Sequence, residues 1–418
     1  MCNTVQNDKR DVCTYEWSDY KHEIYDGNKL YDAFLKAKKN SSWKARTHQF
    51  QMNLLFELSH IQQELKDQTY ELKESVDFVL NERGKIRAIK GDQIQDRIVK
   101  HVICDEVLMP AIKDKLIYDD GASIKDKGID FTRNRFITHL QRFYRETHSN
   151  DGYILLIDFT KYFDNIRHDV FMDLIKKYVD DERSLWLIGL ILEKARIDVS
   201  YMDENEYAHC MDTVFNSLEY NNIDKDLLTG EKYMSKHLDI GDQVSQIAGV
   251  LVPLQLDNYI KIVHGNKYYG RYMDDSYIIH KSKEYLEQLL VDIIKIARDM
   301  GITVNTKKAR ICKLSDTFVF LQNRYTLTET GKVVIKISKK RLTRMRRKMK
   351  KMPDQVSKKE FENWYKSWFN NAYKIMSKQQ RKNLNALYEE LLNTRYNNQD
   401  CDENIEHDPL ILPYYFRK

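Results

Sequence analysis

Proline and glycine are scarce in this chain, which has only five prolines and 14 glycines among its 418 residues. Both residues interrupt helices, so their scarcity predicts a helix-rich protein. Hydrophobic residues make up 42% of the sequence and charged residues 31%, a balance typical of a soluble globular chain. The length allows a sizeable core and two or three subdomains.

Cysteine and long apolar runs are also limited. The six cysteines are scattered, without a Cys-x-x-Cys pair or a cysteine–histidine ligand spacing, which argues against a structural zinc site and a disulfide framework. The sequence has no apolar run of about 18 residues, and its first residues do not form an apolar signal segment. We therefore expect a cytoplasmic protein that makes no use of a membrane.

Positive charge is concentrated in one segment, although the net charge of the whole chain is only +5. Residues 332–352 contain eleven lysines and arginines and no acidic residue. A helix of this composition either follows a nucleic-acid backbone or is a solubilising charged surface, and the segment alone fits both interpretations.

Apolar periodicity predicts most of the elements. We expect a helix over 50–65, with Phe50, Leu54, Leu55, Leu58 and Ile61 on one face. We expect further helices after residue 93, near residue 168, over 183–198 and 282–300, and in the C-terminal 80 to 100 residues. The predicted strands are a hairpin over 78–89, a buried strand over 153–157, a hairpin over 268–280, and short strands in 302–311 and 318–327. Residues 201–237 are predicted to be an irregular insertion.

Two adjacent carboxylates, Asp274 and Asp275, lie between the strand-like sequences KYYGRY and SYIIH. A tight turn there would hold both at the end of a two-stranded ribbon, where a solvated hairpin tip is the alternative interpretation. The pairs at 119–120 and 180–181 lie next to turns or helix ends, and for them we expect solvated caps. The pair at 274–275 differs because strands flank it on both sides.

A third carboxylate, Asp158, ends the apolar strand over 153–157, where it is either a helix cap or a metal ligand. Three carboxylates from two adjacent strands provide the oxygen ligands that hard divalent cations prefer. Without cations they would repel one another and raise one another's pKa. The sequence therefore favours a site for two metal ions, which in such sites are about 4 Å apart.

The sequence LIDFTKYFD, followed about a hundred residues later by YMDD, resembles motifs A and C of reverse transcriptases. The resemblance covers residues 78 to about 350. It implies an α+β fold of the right-hand polymerase type (fingers, palm and thumb), with an RRM-like antiparallel palm sheet and a helical thumb. The implied segments are a helical N-terminal extension over 1–77, fingers over 78–150, a palm over 151–325 with the insertion at 201–237, and a basic helical thumb with a C-terminal tail over 326–418.

The resemblance also implies roles for individual residues of motifs A and C. Asp158 and Asp274 match the two main metal ligands and Asp275 the third carboxylate, for two Mg²⁺ ions that Mn²⁺ can replace. Phe159 would offer its backbone to a metal and to the triphosphate. Phe163 matches the aromatic gate that excludes a ribose 2′-hydroxyl, although a core phenylalanine is the simpler interpretation of the residue alone.

Other implied contacts concern the nucleotide. Lys85 and Arg87 in GKIRAI resemble the fingers cations that hold the triphosphate, although a solvated hairpin is the alternative. Gly241 and Gln243 belong to GDQVSQ, which resembles motif B, and its glycine would let the backbone approach the nucleotide. Lys308, or its neighbour Lys307, matches the motif D lysine that protonates pyrophosphate.

The implied nucleic-acid contacts follow the same order along the chain. Arg97 in QDRIVKHVI is either a template contact or a structural ion-pair partner. Tyr272 and Met273 would lie beneath the primer end, and Phe320 and Leu321 belong to FVFLQN, which resembles the primer grip. The basic segment would contribute Lys339, Lys340, Arg341, Arg344 and Arg347.

The resemblance implies an RNA template, a DNA or RNA primer and dNTPs as partners, in a bacterial or phage-infected cell. Many family members have Gln-Gly-x-x-x-Ser-Pro at motif B, whereas Ile240 and Gln246 stand at its ends here. This form is similar to polymerases of diversity-generating retroelements, which use an accessory protein, and to antiphage-defence polymerases, which use a noncoding RNA. Untemplated or protein-primed synthesis, and a catalytically idle RNA-binding scaffold, are the alternatives.

Overall fold

The computed structural model describes residues 24–39, 41–82, 85–220 and 223–396. They form a mixture of helices and small antiparallel sheets, so the α+β class is confirmed. The helices of the N-terminal 147 residues are α1 (Gly27–Lys38), α2 (Ala45–Met52), α3 (Leu54–Asp67), α4 (Ile94–Val102), α5 (Met109–Ile112) and α6 (Ile129–Thr147). A π-helix, Ile103–Leu108, joins α4 to α5.

Shorter helices dominate the middle of the chain and longer ones the end. The middle contains α7 (Tyr162–Asn165), α8 (His168–Ile175), α9 (Glu182–Ala195), α10 (Glu204–Asp212), α11 (Ser217–Tyr220), α12 (Gln243–Leu251) and α13 (Leu254–Asn258). A 3₁₀ turn occupies Lys225–Leu227 and a π-helix Tyr259–Val263. The later helices are α14 (Lys283–Asp299), α15 (Lys339–Lys351), α16 (Lys358–Ala372) and α17 (Lys378–Leu391). The short turns Met352–Asp354, Tyr373–Ile375 and Leu392–Tyr396 follow these last three.

The strands form antiparallel pairs. They are β1 (Val76–Glu82), β2 (Lys85–Gly91), β3 (Tyr153–Ile157), β4 (Ile197–Asp198), β5 (Tyr233–Met234), β6 (Tyr269–Tyr272), β7 (Asp275–His280), β8 (Arg310–Lys313), β9 (Phe318–Phe320), β10 (Asn323–Leu327) and β11 (Val333–Ile337). Their sheets have the orders β1-β2, β4-β5, β6-β7-β3-β8 and β11-β10-β9.

The described residues fall into two compact units, and the four-stranded sheet belongs to the unit built from Ile129–Ile157, Asn266–Leu290 and Thr306–Lys418. β3 lies between β7 and β8, and four of its five residues are buried. A strand buried on both faces reads as a continuous apolar run, which is why the sequence predicted it correctly. The predicted hairpin over 268–280 is confirmed as β6 and β7.

An aromatic core packs α6 onto this sheet. The ring of Phe136 lies 4.6 Å from that of Tyr277 and 4.9 Å from those of Phe320 and Tyr325, measured between centroids. Gly270 is required beside Tyr277, because a Cβ on it would lie 2.7 Å from the tyrosine hydroxyl oxygen. Edge-to-face aromatic contacts of this kind fix the sheet against the helix.

The C-terminal helices of the same unit are amphipathic. Leu342, Met345 and Met349 of α15 are buried in a core with α16 and α17, while most of its cations face outwards. Capping boxes at Ser357 and Ser377 begin α16 and α17. The prediction of a basic helical C-terminal region is confirmed for its described part, and the acidic tail lies outside the described residues.

The other unit is built from the described residues within Met1–Gly128, Asp158–Gly265 and Val291–Asn305. Here α1 packs against α4, whose predicted apolar face is buried. The predicted helix over 50–65 is interrupted at Asn53, where α2 ends and α3 begins. Leu55 belongs to α3 together with the buried Leu58 and Ile61 but is 80% exposed, so its predicted place on their face was wrong.

Residues 201–237 also differ from the prediction of an irregular segment, which was wrong. This segment contains α10, α11 and β5, and β5 pairs with β4. It has a core of its own, formed by Val199, Met202, Cys210, Phe215 and Met234. Within the part of the chain that the structure describes, no helix is both long and apolar enough to cross a membrane.

Candidate active site

The YMDD sequence forms the tip of the β6–β7 hairpin. Tyr272 pairs with Asp275, which leaves Met273 and Asp274 as a two-residue turn. Met273 has a φ of 54°, in the left-handed region where two-residue hairpin turns normally place glycine or asparagine. Strained backbone of this kind is concentrated at functional sites. All four side chains are half-buried, so both carboxylates reach solvent at the strand end.

A fully buried arginine supports this turn. Arg271 is 0% exposed, and its Nη1 donates a hydrogen bond of 3.2 Å to the carbonyl of Met273. Buried guanidinium groups are rare in apolar strands, so this residue belongs to the construction of the tip. The sequence prediction missed it, although an arginine inside an otherwise aromatic strand was the available signal.

Asp158 directly follows β3. The last pair of the β3–β7 register is Ile157 with Ser276. Asp158 directly follows Ile157 in the sequence, and Asp275 directly precedes Ser276. The backbone carbonyl of Asp158 accepts a 2.8 Å hydrogen bond from the Asn305 amide, and its Oδ2 lies 3.4 Å from Asn305 Nδ2. Asn305 is a second residue that the sequence prediction missed, since nothing local connects it to Asp158.

The predicted metal ligands were tested against this geometry. Asp158, Asp274 and Asp275 offer half-buried carboxylates, and oxygen donors of this type suit Mg²⁺. Among the residues described by the structure, no group of three or more His, Cys, Asp or Glu side chains is arranged to hold a metal ion. The three carboxylates fit Mg²⁺ in donor type. Phe159 is buried and forms an antiparallel bridge with Val304, so its ring does not reach solvent.

The predicted sugar gate, Phe163, lies in α7, a single turn that begins after Lys161 at a φ of 44°. The phenylalanine ring is half-buried, 5.4 Å from the ring of Tyr162. The hydroxyl of Tyr162 donates a hydrogen bond of 2.8 Å to the carbonyl of Gly249 in α12. Phe163 is thus presented by a firmly bonded turn and is not a fully buried core residue.

The GDQVSQ sequence forms the start of α12. Gly241 has a φ of 103° and is exposed, as a close backbone approach requires. Asp242 caps the helix by accepting 2.9 Å from the Val244 amide. The side-chain Nε2 of Gln243 donates a hydrogen bond of 2.9 Å to Asp105 Oδ1. This segment borders a cavity of about 350 Å³ that also contacts Arg97, whose Nη1 donates to Ser41.

The remaining predicted nucleotide contacts lie in separate elements. Arg87 is half-buried in β2, paired with Leu80 of β1. Lys85 begins β2, but its side chain lies outside the described residues, as does the hairpin turn at 83–84. Lys308 is exposed in the turn before β8.

The sequence that resembles a primer grip forms a second tight hairpin. Phe320 pairs with Asn323, so Leu321 and Gln322 form the turn, with φ values of 42° and 71°. Both residues occupy conformations that favour glycine. Phe320 and Leu321 are buried in the aromatic core. The carbonyl of Leu321 accepts a hydrogen bond of 2.9 Å from the guanidinium group of Arg133.

The predicted cations of α15 are mainly on its outer surface. Lys339, Lys340, Arg344 and Arg347 are exposed. Arg341 instead donates 3.0 Å to Asn323 Oδ1.

The first comparison pair of aspartates corrects one expectation. Asp119 and Asp120 are 4% and 0% exposed, so the prediction of solvated caps was wrong for them. Asp119 pairs with Lys261 at 2.8 Å, a partner 142 residues away. The second pair behaves as predicted at Asp181, which caps α9.

Comparison with known proteins agrees with this geometry. A search of curated proteins finds no significant match. The family model for reverse transcriptase (RNA-dependent DNA polymerase) matches residues 73–324, which is more than half of the chain and includes both aspartate sequences. The family implies a palm-containing polymerase fold, a nucleotidyltransferase activity, and an RNA template, a primer and dNTPs as substrates. The chain belongs to the reverse transcriptases, the RNA-dependent DNA polymerases.

Proposed function

We propose that this polymerase joins dNTPs to a primer by two-metal nucleotidyl transfer at Asp158, Asp274 and Asp275. The observation that supports it most directly is the strand register. β3 and β7 are paired up to Ile157 and Ser276, and the chain places an aspartate immediately beyond each of these residues. Two strand ends that finish in carboxylates provide the oxygen ligands such a site needs.

When bound, two Mg²⁺ ions would supply activation of the primer hydroxyl and stabilisation of the charge on pyrophosphate. The protein's own groups divide the remaining work. Arg87 and Lys85 hold the triphosphate, whose negative charge is greatest in the transition state. Lys308 donates a proton to pyrophosphate as it leaves. Phe163 excludes the 2′-hydroxyl of a ribonucleotide, so dNTPs are preferred.

The nucleic acid is proposed to follow the basic and hairpin elements. Tyr272 and Met273 lie beneath the primer end, and the backbone of the Leu321–Gln322 turn holds the primer strand. The exposed cations of α15 neutralise phosphates of the template–primer duplex, which makes binding salt-dependent. Arg97, Gly241 and Gln243 border the cavity beside the template base.

In this proposal the fold has the right-hand polymerase arrangement, with an RRM-like palm sheet. The fingers comprise 78–150, the palm 151–325 and the thumb 326–418, after a helical extension over 1–77. The helical content of α15 to α17 and the four-stranded antiparallel sheet support the thumb and palm assignments.

Two biological roles fit motif B, where Ile240 and Gln246 stand in place of the usual glutamine and proline. One is mutagenic copying in a diversity-generating retroelement with an accessory protein. The other is antiphage defence, with a noncoding RNA template or with untemplated or protein-primed synthesis. Sequencing the nucleic acid that copurifies with the protein separates them, because a template-repeat RNA supports the first role and a homopolymeric or protein-linked product supports the second.

Primer extension tests the polymerase itself. With poly(rA)/oligo(dT), dTTP and Mg²⁺ or Mn²⁺, wild type should extend the primer and Asp274→Asn should not. Asp180→Asn is the matched control, because Asp180 is an exposed member of another aspartate pair and should leave extension unchanged. A wild type that is silent on all templates and with both metals would favour the RNA-binding scaffold instead.

A further inference from the structure

The turn that carries Phe163 is braced by residues from the segment 201–237. The side chain of Asn165 makes two hydrogen bonds with the backbone of Phe215. Its Oδ1 accepts one of 2.8 Å from the Phe215 N–H, and its Nδ2 donates one of 3.1 Å to the Phe215 carbonyl. Asp164 Oδ1 accepts 2.8 Å from the hydroxyl of Ser217. The segment is therefore bonded directly to α7, a relation that the sequence alone did not indicate.

His237, at the end of this segment, makes the closest connection. Its amide donates 3.2 Å to the carbonyl of Ile166, and the next amide, of Leu238, donates 2.9 Å to the carbonyl of Phe163. The backbone of residues 237–238 is thus bonded to the turn on both sides of Asp164. The carbonyl of Phe163 is held directly, while its ring remains half-buried.

The backbone of His237 is strained at this point. Its φ is 107°, a value that residues with a side chain rarely adopt. Such a conformation costs about 1–3 kcal/mol and persists only where the surroundings enforce it. A glycine would adopt it freely, so the imidazole must contribute something that a glycine cannot.

The imidazole lies between two carboxylates. Nδ1 is 3.0 Å from Asp164 Oδ1 and Nε2 is 3.2 Å from Asp239 Oδ1, and His237 is only 7% exposed. Each ring nitrogen therefore faces a carboxylate oxygen, an arrangement that favours the doubly protonated imidazolium. Burial alone would lower the pKa of His237, but hydrogen bonds and charge from Asp164 and Asp239 raise it above its ordinary value.

The same network reaches the strand of the proposed triphosphate contact. Asp239 pairs with Lys90 Nζ at 3.2 Å, and Lys90 lies in β2 three residues after Arg87. From Asp164 to Lys90 the charges alternate, which makes the chain of contacts mutually stabilising. His168 also faces this network, because its Nε2 lies 2.7 Å from the carbonyl of His237.

We propose that His237 is a positioning residue that holds α7 through Asp164, and thereby fixes the Phe163 ring against the sugar of the incoming nucleotide. This inference rests on the proposed function and identifies what sets its sugar selectivity. The two hydrogen bonds of this strained histidine join the gate to the residues that precede motif B. Segment 201–237 holds α7, and with it Phe163, in place through these hydrogen bonds.

The ratio of kcat/KM for dTTP to that for UTP tests this role in purified full-length protein. His237→Gly removes both hydrogen bonds and relieves the backbone strain, but it also leaves Asp164 and Asp239 without the imidazole between them. We expect that ratio to fall at least tenfold, with a smaller change in kcat for dTTP. His237→Asn, which tolerates positive φ and bonds one carboxylate, should restore part of the ratio.

A double-mutant cycle separates positioning from a general loss of stability. In a Phe163→Ala background, His237→Gly should change the ratio by less than twofold, because the gate is already absent. The matched control is His139→Gln, since His139 is a buried histidine bonded to Tyr277 and should lower stability without changing the ratio. If His237→Gly fails to fold, Asp239→Asn replaces it.

Three outcomes are distinguishable. A tenfold loss that is absent from the Phe163→Ala background supports the positioning role. An active wild type whose ratio is unchanged in the His237 variants overturns this inference alone. A wild type without polymerase activity overturns the proposed function, and the sugar-selection role with it.

Discussion

Lys100 Nζ lies 2.7 Å from Asp242 Oδ2, and both side chains are almost fully buried. Asp92 completes the arrangement at 2.8 Å from the same ammonium group. Burial would lower the pKa of Lys100, but the two carboxylates outweigh it and raise the pKa above its ordinary value. The lysine is therefore charged, and it ties α4 to the capping residue of α12.

Lys100→Met should be strongly destabilising, because it leaves two carboxylates without their cation. Breaking a buried ion pair on one side typically costs about 3–5 kcal/mol. Urea unfolding monitored by circular dichroism measures the loss. The control is Lys283→Met, which removes an exposed pair with Glu287 and should leave the unfolding midpoint unchanged. Equal midpoints for the two variants would show that the buried network contributes no stability.

The free energy of unfolding should depend on pH through Asp96, and the substitution Asp96→Asn should remove this dependence. Burial, assisted by the charge of Asp92, raises its pKa from 3.8 to about 6, although Tyr70 donates 2.7 Å to it. Between about pH 4 and pH 6 the folded protein retains this proton while the unfolded chain has released it. The contribution of Asp96 to stability therefore falls as pH rises through this window.

The expected change is about 3 kcal/mol for a rise of about two pKa units. Asp96→Asn lacks this pH dependence. Its free energy of unfolding should therefore rise relative to that of wild type by about 3 kcal/mol between pH 4 and pH 7. Urea titrations at several pH values give the difference. Tyr70→Phe should move the window to higher pH, because the Tyr70 hydrogen bond favours the charged carboxylate. Parallel curves for Asp96→Asn and wild type would rule out the raised pKa.

The sequence predicted those parts of the fold that depend on local patterns. The apolar run of β3 and the strand-like sequences on both sides of Asp274 and Asp275 were sufficient, because burial and strand pairing act on consecutive residues there. Leu55 failed because it lies about 100° from Leu54 around α3, away from the face that buries Leu58, Ile61 and Leu65. Asp119 failed because its partner, Lys261, is remote in sequence.

The candidate site shows the same division. Its aspartates were recognisable from spacing, since motifs A and C each follow a strand pattern. The supporting residues Arg271, Asn305 and His237 were missed, because their roles depend on contacts formed only in the folded chain. Residues that position a site are therefore harder to predict than those that perform its chemistry.

Met273→Gly should stabilise the protein and weaken primer use. Glycine adopts the φ of 54° without strain, which gains about 1 kcal/mol, but it removes the side chain proposed to lie beneath the primer. We expect a higher thermal midpoint and a raised KM for the template–primer. Gln322→Gly is the matched control for strain, with a φ of 71° at a second hairpin. An unchanged KM in Met273→Gly would remove Met273 from the primer contact.

Phe163→Ala should begin to incorporate ribonucleotides. The half-buried ring occupies the proposed position of the 2′-hydroxyl, so its removal relieves the clash while leaving the backbone bonds of α7 in place. We expect kcat/KM for UTP to rise at least tenfold relative to that for dTTP, measured by primer extension with each nucleotide alone. Phe369→Ala is the control, because Phe369 is a half-buried phenylalanine of α16 and its loss should leave the ratio unchanged. An unchanged preference for dTTP in Phe163→Ala, together with normal extension, would show that another residue is the gate.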